Sequence, residues 1–274
     1  MPDACPSPLS GGFRFCVLAS GSKGNAVYVS DGDTTILVDA GLSGVALEKR
    51  MRSRNLAPER IDAIVVSHEH SDHIRGVGVM ARRYRVPVYL TPGTGQSACS
   101  ALGRVADVVH FQPGRPFSIN TLAFHPFALP HDAADPAGFT VASRGVKLGI
   151  ATDLGTAPAM IQAHLADCQA LVLEANHDPR MLMEGPYPWP LKQRIAGRTG
   201  HLSNPETRDL LGRLRHEGLH HVVLAHLSEI NNTPEFALNM VAEGLGPCRA
   251  RLTVALQDRP TELILLHRNG DATE

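Results

Sequence analysis

Ile61-Asp62-Ala63-Ile64-Val65-Val66-Ser67-His68-Glu69-His70-Ser71-Asp72-His73 joins a short apolar run to a cluster of metal-seeking side chains. A run this short and this apolar suits a strand buried on both faces. His68 and His70, two positions apart, point the same way along extended backbone. Asp72 and His73, past the turn, can face elsewhere, so the cluster has enough donors for two ions. Imidazole with carboxylate suits divalent zinc, and carboxylate also suits manganese. Glu69 and Ser71 fit turn or supporting positions. The competing account is a solvated polar loop. Histidine is scarce, and neighbouring imidazoles repel one another once protonated, so the metal account is preferred.

Outward from this segment, Phe13 to Ala19, Ala26 to Ser30 and Thr35 to Val38 read as strands, the last two joined by the turn Asp31-Gly32-Asp33. Helical spacing covers Ser43 to Arg54 and His73 to Tyr84, and Pro87 to Leu90 is the next strand. Thr121 to Phe127, Gly138 to Ser143 and Val146 to Ala151 continue the strand-rich half. Helices over Ala157 to Leu165, Pro205 to Arg215 and Pro234 to Glu243 then alternate with strands over Ala170 to Glu174 and His221 to Ala225. Pro205 and Pro234 suit first-turn positions behind Asn204 and Thr233 as caps. No linker separates the halves, so two packed sheets with helices outside is the economical arrangement.

Composition narrows the function classes. Of 274 residues, 43% are hydrophobic, and the formal net charge is −1, so any polyanion must be met by a local patch or a metal centre. The cysteines Cys5, Cys16, Cys99, Cys168 and Cys248 lack CxxC spacing, which disfavours a disulfide framework or a cysteine zinc site. Neither a signal peptide nor a membrane span is expected, and the protein is read as cytoplasmic.

His68-Glu69-His70-Ser71-Asp72-His73 resembles the HxHxDH signature of the metallo-β-lactamase superfamily. That resemblance implies an α/β protein with the αββα sandwich, two mixed β-sheets packed face to face with helices outside. One domain is expected over residues 13–267, with tails at 1–12 and 268–274. Family positions are matched by Asp39 in ILVDAG, His131 in LPHDA, Asp153 in IATDLG and His226 in VVLAHLS. The resemblance implies two divalent ions, zinc or manganese. His68, His70 and His131 would hold one, Asp72, His73 and His226 the other, with Asp153 bridging and Asp39 orienting ligands. His110, His125, His164, His216, His220, His221 and His267 lack such context and are assigned to surface or core.

Three more segments bear on the substrate. Ser20-Gly21-Ser22-Lys23-Gly24-Asn25 lies between strands and lacks the ending of a Walker A loop, but its amides, Ser22 and Asn25 could meet phosphate. Glu174-Ala175-Asn176-His177-Asp178 follows a strand, and Gly200-His201-Leu202-Ser203-Asn204 precedes a helix whose free amides suit an anion. His177, Ser203 and Asn204 join Ser22 and Asn25 as candidate substrate contacts. The order of these segments is similar to the phosphodiesterase branch, which includes RNase Z, and most similar to the YycJ/WalJ family over Phe13 to Leu266. Unlike RNase Z, the chain has Asn176 where that branch carries threonine, and it has no arm for transfer RNA.

Members of the YycJ/WalJ family are regarded as 5′ to 3′ exonucleases on double-stranded DNA. The resemblance therefore implies nucleic acid, DNA rather than RNA, as partner, and attack by a hydroxide shared between the metals. Asp72 would orient that nucleophile, His201 would protonate the leaving oxygen, Glu174 would fix the His201 tautomer, and His177 is the rival donor. Lys192, Arg194 and Arg198 can bind phosphates or form a solvated face, and Tyr187 and Trp189 can stack on a terminal base or pack a loop. A small-molecule phosphodiesterase is the leading alternative. A thioesterase or lactamase and a non-enzymatic metal-binding protein follow it.

Overall fold

The computed structural model describes residues 12–267. The expected tails therefore lie outside the described residues, apart from Gly12. Two seven-stranded mixed sheets form among these residues. The first runs β14 (Ile264–Leu266), β1 (Phe13–Ala19), β2 (Ala26–Ser30), β3 (Thr35–Val38), β4 (Ala63–Val65), β5 (Val88–Leu90) and β6 (Val108–His110). The second runs β13 (Arg251–Val254), β12 (His221–Ala225), β11 (Ala170–Glu174), β10 (Val146–Ala151), β9 (Ala137–Ser143), β8 (Leu122–Ala128) and β7 (Phe117–Ile119). Neighbours from β3 to β6 and from β10 to β13 pair in parallel, and the remaining pairs are antiparallel.

Period-two alternation sends the two faces of each central strand into different cores. On β1, Phe15 and Val17 join Phe124, Phe139, Val172 and Val223 between the sheets. Cys16 and Leu18 instead meet Leu47, Met51 and Met80 beneath α1 (Gly44–Arg52) and α3 (Val77–Tyr84). The outer face of the second sheet is covered by α5 (Ala159–Leu165), α8 (Asn204–Leu214) and α9 (Pro234–Leu245). Phe15, Phe124 and Phe139 are fully buried, each worth about 1.5–3 kcal/mol of transfer free energy. Helix, sheet, sheet, helix is the resulting layer order, as expected.

Several expected elements change. The helix expected over His73 to Tyr84 is two, α2 (Ser71–Ile74) and α3. A continuous helix would bond the Gly76 amide to the Asp72 carbonyl. Instead, Gly76 N–H donates to Ala40 O at 2.7 Å, and Asp72 O accepts from Asn25 N at 2.7 Å. Both groups are diverted to neighbouring loops, and the helix breaks there. Ser203, not Asn204, caps α8, in a capping box with Glu206. Thr233 caps α9 as expected. Helix α4 (Pro92–Leu102) and the short helices α6 (Pro179–Glu184) and α7 (Trp189–Ile195) were not anticipated, nor were the edge strands β13 and β14.

Candidate metal centre

Strand ends from both sheets converge on one rim of the sandwich. Asp39 follows β3, His68 to His73 follow β4, and His131 follows β8. Asp153 follows β10, Glu174 ends β11, and His226 follows β12. The turn after β4 is held tightly. Asn25 N and Gly41 N bond Asp72 O and Asn25 O at 2.7 and 2.9 Å, and a Cβ on Gly41 would sit 1.6 Å from Asp72 O. Only glycine permits that approach. Asp39, Asp153 and His226 adopt left-handed φ values of 61°, 62° and 56°. Such conformations cost about 1–3 kcal/mol each and cluster where side chains must be aimed. Asp and His are among the side chains that tolerate them best.

The six side chains expected to hold two ions form two triads, His68 with His70 and His131, and Asp72 with His73 and His226. Within each triad the ligand atoms lie within 4.8 Å of one another. In the first, His70 Nδ1 is 3.1 Å from His68 Nε2 and 3.3 Å from His131 Nε2. In the second, Asp72 Oδ2 is 3.5 Å from His73 Nε2 and 3.6 Å from His226 Nε2. Asp153 lies between them, with Oδ2 3.3 Å from His73 Nε2 and Oδ1 3.9 Å from His131 Nε2.

This donor set fits divalent cations. Nitrogen lone pairs converge on shared points, and the buried atoms Asp153 Oδ2 and His226 Nε2 have no hydrogen-bond partner. Burial outweighs all else at His68 and His131 and lowers both imidazoles, which favours the neutral form a metal requires. At His73, burial pushes the imidazole down, but the Asp153 and Asp39 carboxylates hold it well above the usual range. At His226, Asp153, Asp72 and Glu174 likewise overcome burial and raise it to about 10. The anionic field that holds protons on these two rings would equally favour a cation beside them.

Supporting contacts set each tautomer. Asp39 Oδ2 accepts from His73 Nδ1 at 2.8 Å and from Ser67 Oγ at 2.8 Å, while Asp39 Oδ1 accepts from Ser67 N. Ser67 Oγ also lies 2.9 Å from His68 Nδ1. A carboxylate can only accept, so His73 Nδ1 carries hydrogen, and its Nε2 is turned toward Asp72, Asp153 and Asn25 Nδ2, the last at 3.0 Å. Glu69 Oε1 accepts from Ala134 N at 2.8 Å and ties this turn to the loop carrying His131.

Glu174 organises the other side. Its Oε1 accepts from both His201 Nδ1 and His226 Nδ1, each at 2.8 Å, while Oε2 accepts from Leu154 N and Leu202 N. Burial raises this carboxyl, and the His201 and His226 rings bring it down to about 2. The pairing with His201 matches the expectation; the link to His226 was not anticipated. Two further contacts of His226 also went unforeseen: Ser20 Oγ accepts from its amide at 2.6 Å, and Asn176 Nδ2 donates to its carbonyl at 2.8 Å.

Beside the triads is a cleft of about 180 Å³ lined by Ser22, Asp132, Tyr187, Arg194, His201 and Ser228, among others. Ser22 is exposed there. Asn25, His177, Ser203 and Asn204, expected as substrate contacts, are buried and do not line it. Asn25 Nδ2 donates to Asp72 Oδ2 at 3.1 Å, and its Oδ1 accepts from Gly21 N. Ser203 is engaged by Glu206, and Asn204 pairs with Asn232. The His177 backbone bridges to that of Ser203, and its Nδ1 is buried and unpartnered. Asn25 thus braces Asp72, and Asn204, through Asn232, braces the backbone at Ala175 and Asn176. Of the candidate basic and aromatic groups, Arg194 is held by Asp132, Lys192 donates to Met183 O, and Trp189 is exposed.

Two packed mixed sheets with such ligand triads at their shared rim define a metallo-β-lactamase fold, and the sequence profile of the beta-lactamase superfamily domain matches residues 34–227. The fold is shared with YhfI of Bacillus subtilis, a metallo-β-lactamase fold protein, at a TM-score of 0.69 and 16% identity, covering 92% of this chain and 99% of that one. Within this superfamily of metal-dependent hydrolases, the chain belongs to the YycJ/WalJ family. It is 36% identical over 236 residues to exodeoxyribonuclease YycJ of Bacillus anthracis, spanning 85% of this chain and 89% of that protein. Exodeoxyribonuclease WalJ of Streptococcus pneumoniae is 36% identical over 230 residues, 82% of this chain and 86% of that one.

Proposed function

We propose that this hydrolase is a dinuclear phosphodiesterase working as a 5′ to 3′ exonuclease on DNA, within a single domain spanning residues 13–267. The observation that carries the reading is the Glu174–His201 pair, 2.8 Å apart and opening on the cleft beside both ligand triads. The exodeoxyribonuclease relatives supply the substrate class. His68, His70 and His131 would hold one ion, and Asp72, His73 and His226 the other, with Asp153 between. When bound, two ions of zinc or manganese lower the pKa of water toward ~7 and neutralise charge on phosphoryl oxygens.

The chain's own groups do the rest. Asp72, fixed by Asn25, accepts a hydrogen bond from the attacking water and orients it. His201 gives its Nε2 proton to the leaving oxygen, while Glu174 Oε1 accepts from its Nδ1 and fixes the ring's orientation. His177 does not reach the cleft, which supports His201 over it as donor. The described cysteines Cys16, Cys99, Cys168 and Cys248 are free, which suits a reducing cytoplasm. Among the described residues, no helix is long and apolar enough to cross a membrane.

The test is digestion of end-labelled duplex and single-stranded DNA and RNA with manganese or zinc. Mononucleotides released from the 5′ end of DNA are expected; internal fragments, or inert DNA beside active small esters, would refute the exonuclease. The formal net charge of −1 and the narrow cleft favour one second reading, a small phosphodiester substrate. DNA cleavage should fall steeply as salt rises, through counterion release, whereas a small ester would be nearly indifferent.

A further inference from the structure

A further cavity lies away from the metal centre. It is a groove of about 460 Å³ between the edge strands β13 and β14, one from each sheet. Its floor is apolar, including Val254, Leu256, Leu263 and Ile264, and its rim carries Arg54, Arg251 and Arg259 with His221. The acid in the lining, Glu262, is paired with Arg54 at 3.1 Å. Arg251 and Arg259 are exposed, and their side chains make no ion pair or hydrogen bond among the described residues. A chain of net charge −1 thus concentrates unneutralised guanidinium groups along one groove.

The groove is also tied to the loop beside the metal cleft. Gln257, which follows the groove residue Leu256, accepts from Lys23 N at 2.7 Å and donates to Gly24 O at 3.0 Å. That glycine loop carries Ser22, which lines the cleft.

We propose that this groove is a second contact for the nucleic-acid strand, with Arg251 and Arg259 binding backbone phosphates while the strand's end sits in the cleft. The proposal rests on the nuclease reading for its choice of occupant. Charge complementarity and the tie to the cleft loop favour a polyphosphate strand over a peptide added to the sheet edge. Its reach follows from register. Arg251 pairs with His221 at the start of β12, five residues before His226. That span is roughly 17 Å, a few phosphates of an extended strand. Shorter substrates end before Arg251.

The experiment measures fluorescence anisotropy of labelled 20-nucleotide and 3-nucleotide DNA strands on the full chain in EDTA, across a salt series. For the 20-mer, Arg251→Ala with Arg259→Ala should weaken binding about tenfold and lower the salt slope by about 1.4, the share of two phosphates on single-stranded DNA. The 3-mer should bind the variant and the parent alike, and Arg251→Lys with Arg259→Lys should retain most of the 20-mer affinity. Unchanged 20-mer binding, equal weakening of the 3-mer, or no binding by the parent overturns the proposal. Hydrolysis of bis(p-nitrophenyl) phosphate and the melting temperature should be unaltered in the variant; a loss of either means the fold was damaged and contradicts a surface contact. If the parent cleaves that ester but no DNA while the binding loss stands, the nuclease reading fails and the groove survives.

Discussion

At the scale of single residues, the site is built from carboxylates that aim imidazoles. Asp39 aims His73, and one oxygen of Glu174 serves both His201 and His226. The two rings therefore respond differently to mutation. His201→Ala should cut DNA cleavage by ~10²–10⁴, leaving metal content unchanged and barely slowing bis(p-nitrophenyl) phosphate, whose leaving group needs no proton. Glu174→Gln should reduce DNA cleavage and also lower metal occupancy, because it releases His226. Turnover on the two substrates with metal analysis checks this, and equal losses on both substrates for His201→Ala would discard it as the acid. The ligand candidates were legible because each is a scarce residue type standing just after an apolar strand. The second partner of Glu174 and the framing duties of Asn25 and Asn204 were not. A hydrogen bond between residues 52 apart leaves no local pattern.

Among elements, the turn between β2 and β3 fastens the sheets together at one point. Asp31 Oδ1 accepts from Asp33 N and Thr34 N, and its Oδ2 accepts from Ser143 Oγ at 2.7 Å, across to the end of β9 in the other sheet. Burial raises the Asp31 carboxyl, but hydrogen bonds from Thr121, Thr34 and Ser143 more than offset it, and the group ends below its ordinary value. A carboxyl held low in the fold stabilises the protein above its unfolded pKa, near 3.9, and that stabilisation disappears as pH falls through the folded value. Asp31→Asn should therefore cost about 1.5 kcal/mol at pH 7, and its gap to the parent should close at lower pH. Urea melts of both proteins without metal at pH 7 and below pH 4 read this out; a constant gap would contradict it. The turn itself was visible as Asp-Gly-Asp. Helix α4 was hidden because Pro92-Gly-Thr-Gly-Gln-Ser-Ala-Cys-Ser-Ala-Leu102 has few apolar residues to carry a period. The break between α2 and α3 was hidden because its cause, two diverted backbone groups, lies in other loops.

For the whole molecule, the ligand candidates come from both sheets, so bound ions would join layers otherwise held by their apolar interface. Removing them should lower the melting temperature by about 5–10 °C, taking stabilisation of about 2.7 kcal/mol at a hundredfold excess over Kd and about 2–4 °C per kcal/mol at this size. Melting curves with and without EDTA test this, and coincident curves would argue against tight metal binding. The layered architecture was readable because central strands such as β3, β4 and β11 are largely apolar and need cover on each side. The edge strand β13 escaped notice because RLTV mixes charged, polar and aliphatic groups, and β14 because three residues carry no period. The left-handed corners at Asp39, Asp153 and His226 have a longer reach. At each, glycine would relieve the backbone strain and lose the side chain that the strain aims. A descendant lineage no longer required to turn over substrate would be free to let these three corners decay first, while its sandwich stayed intact.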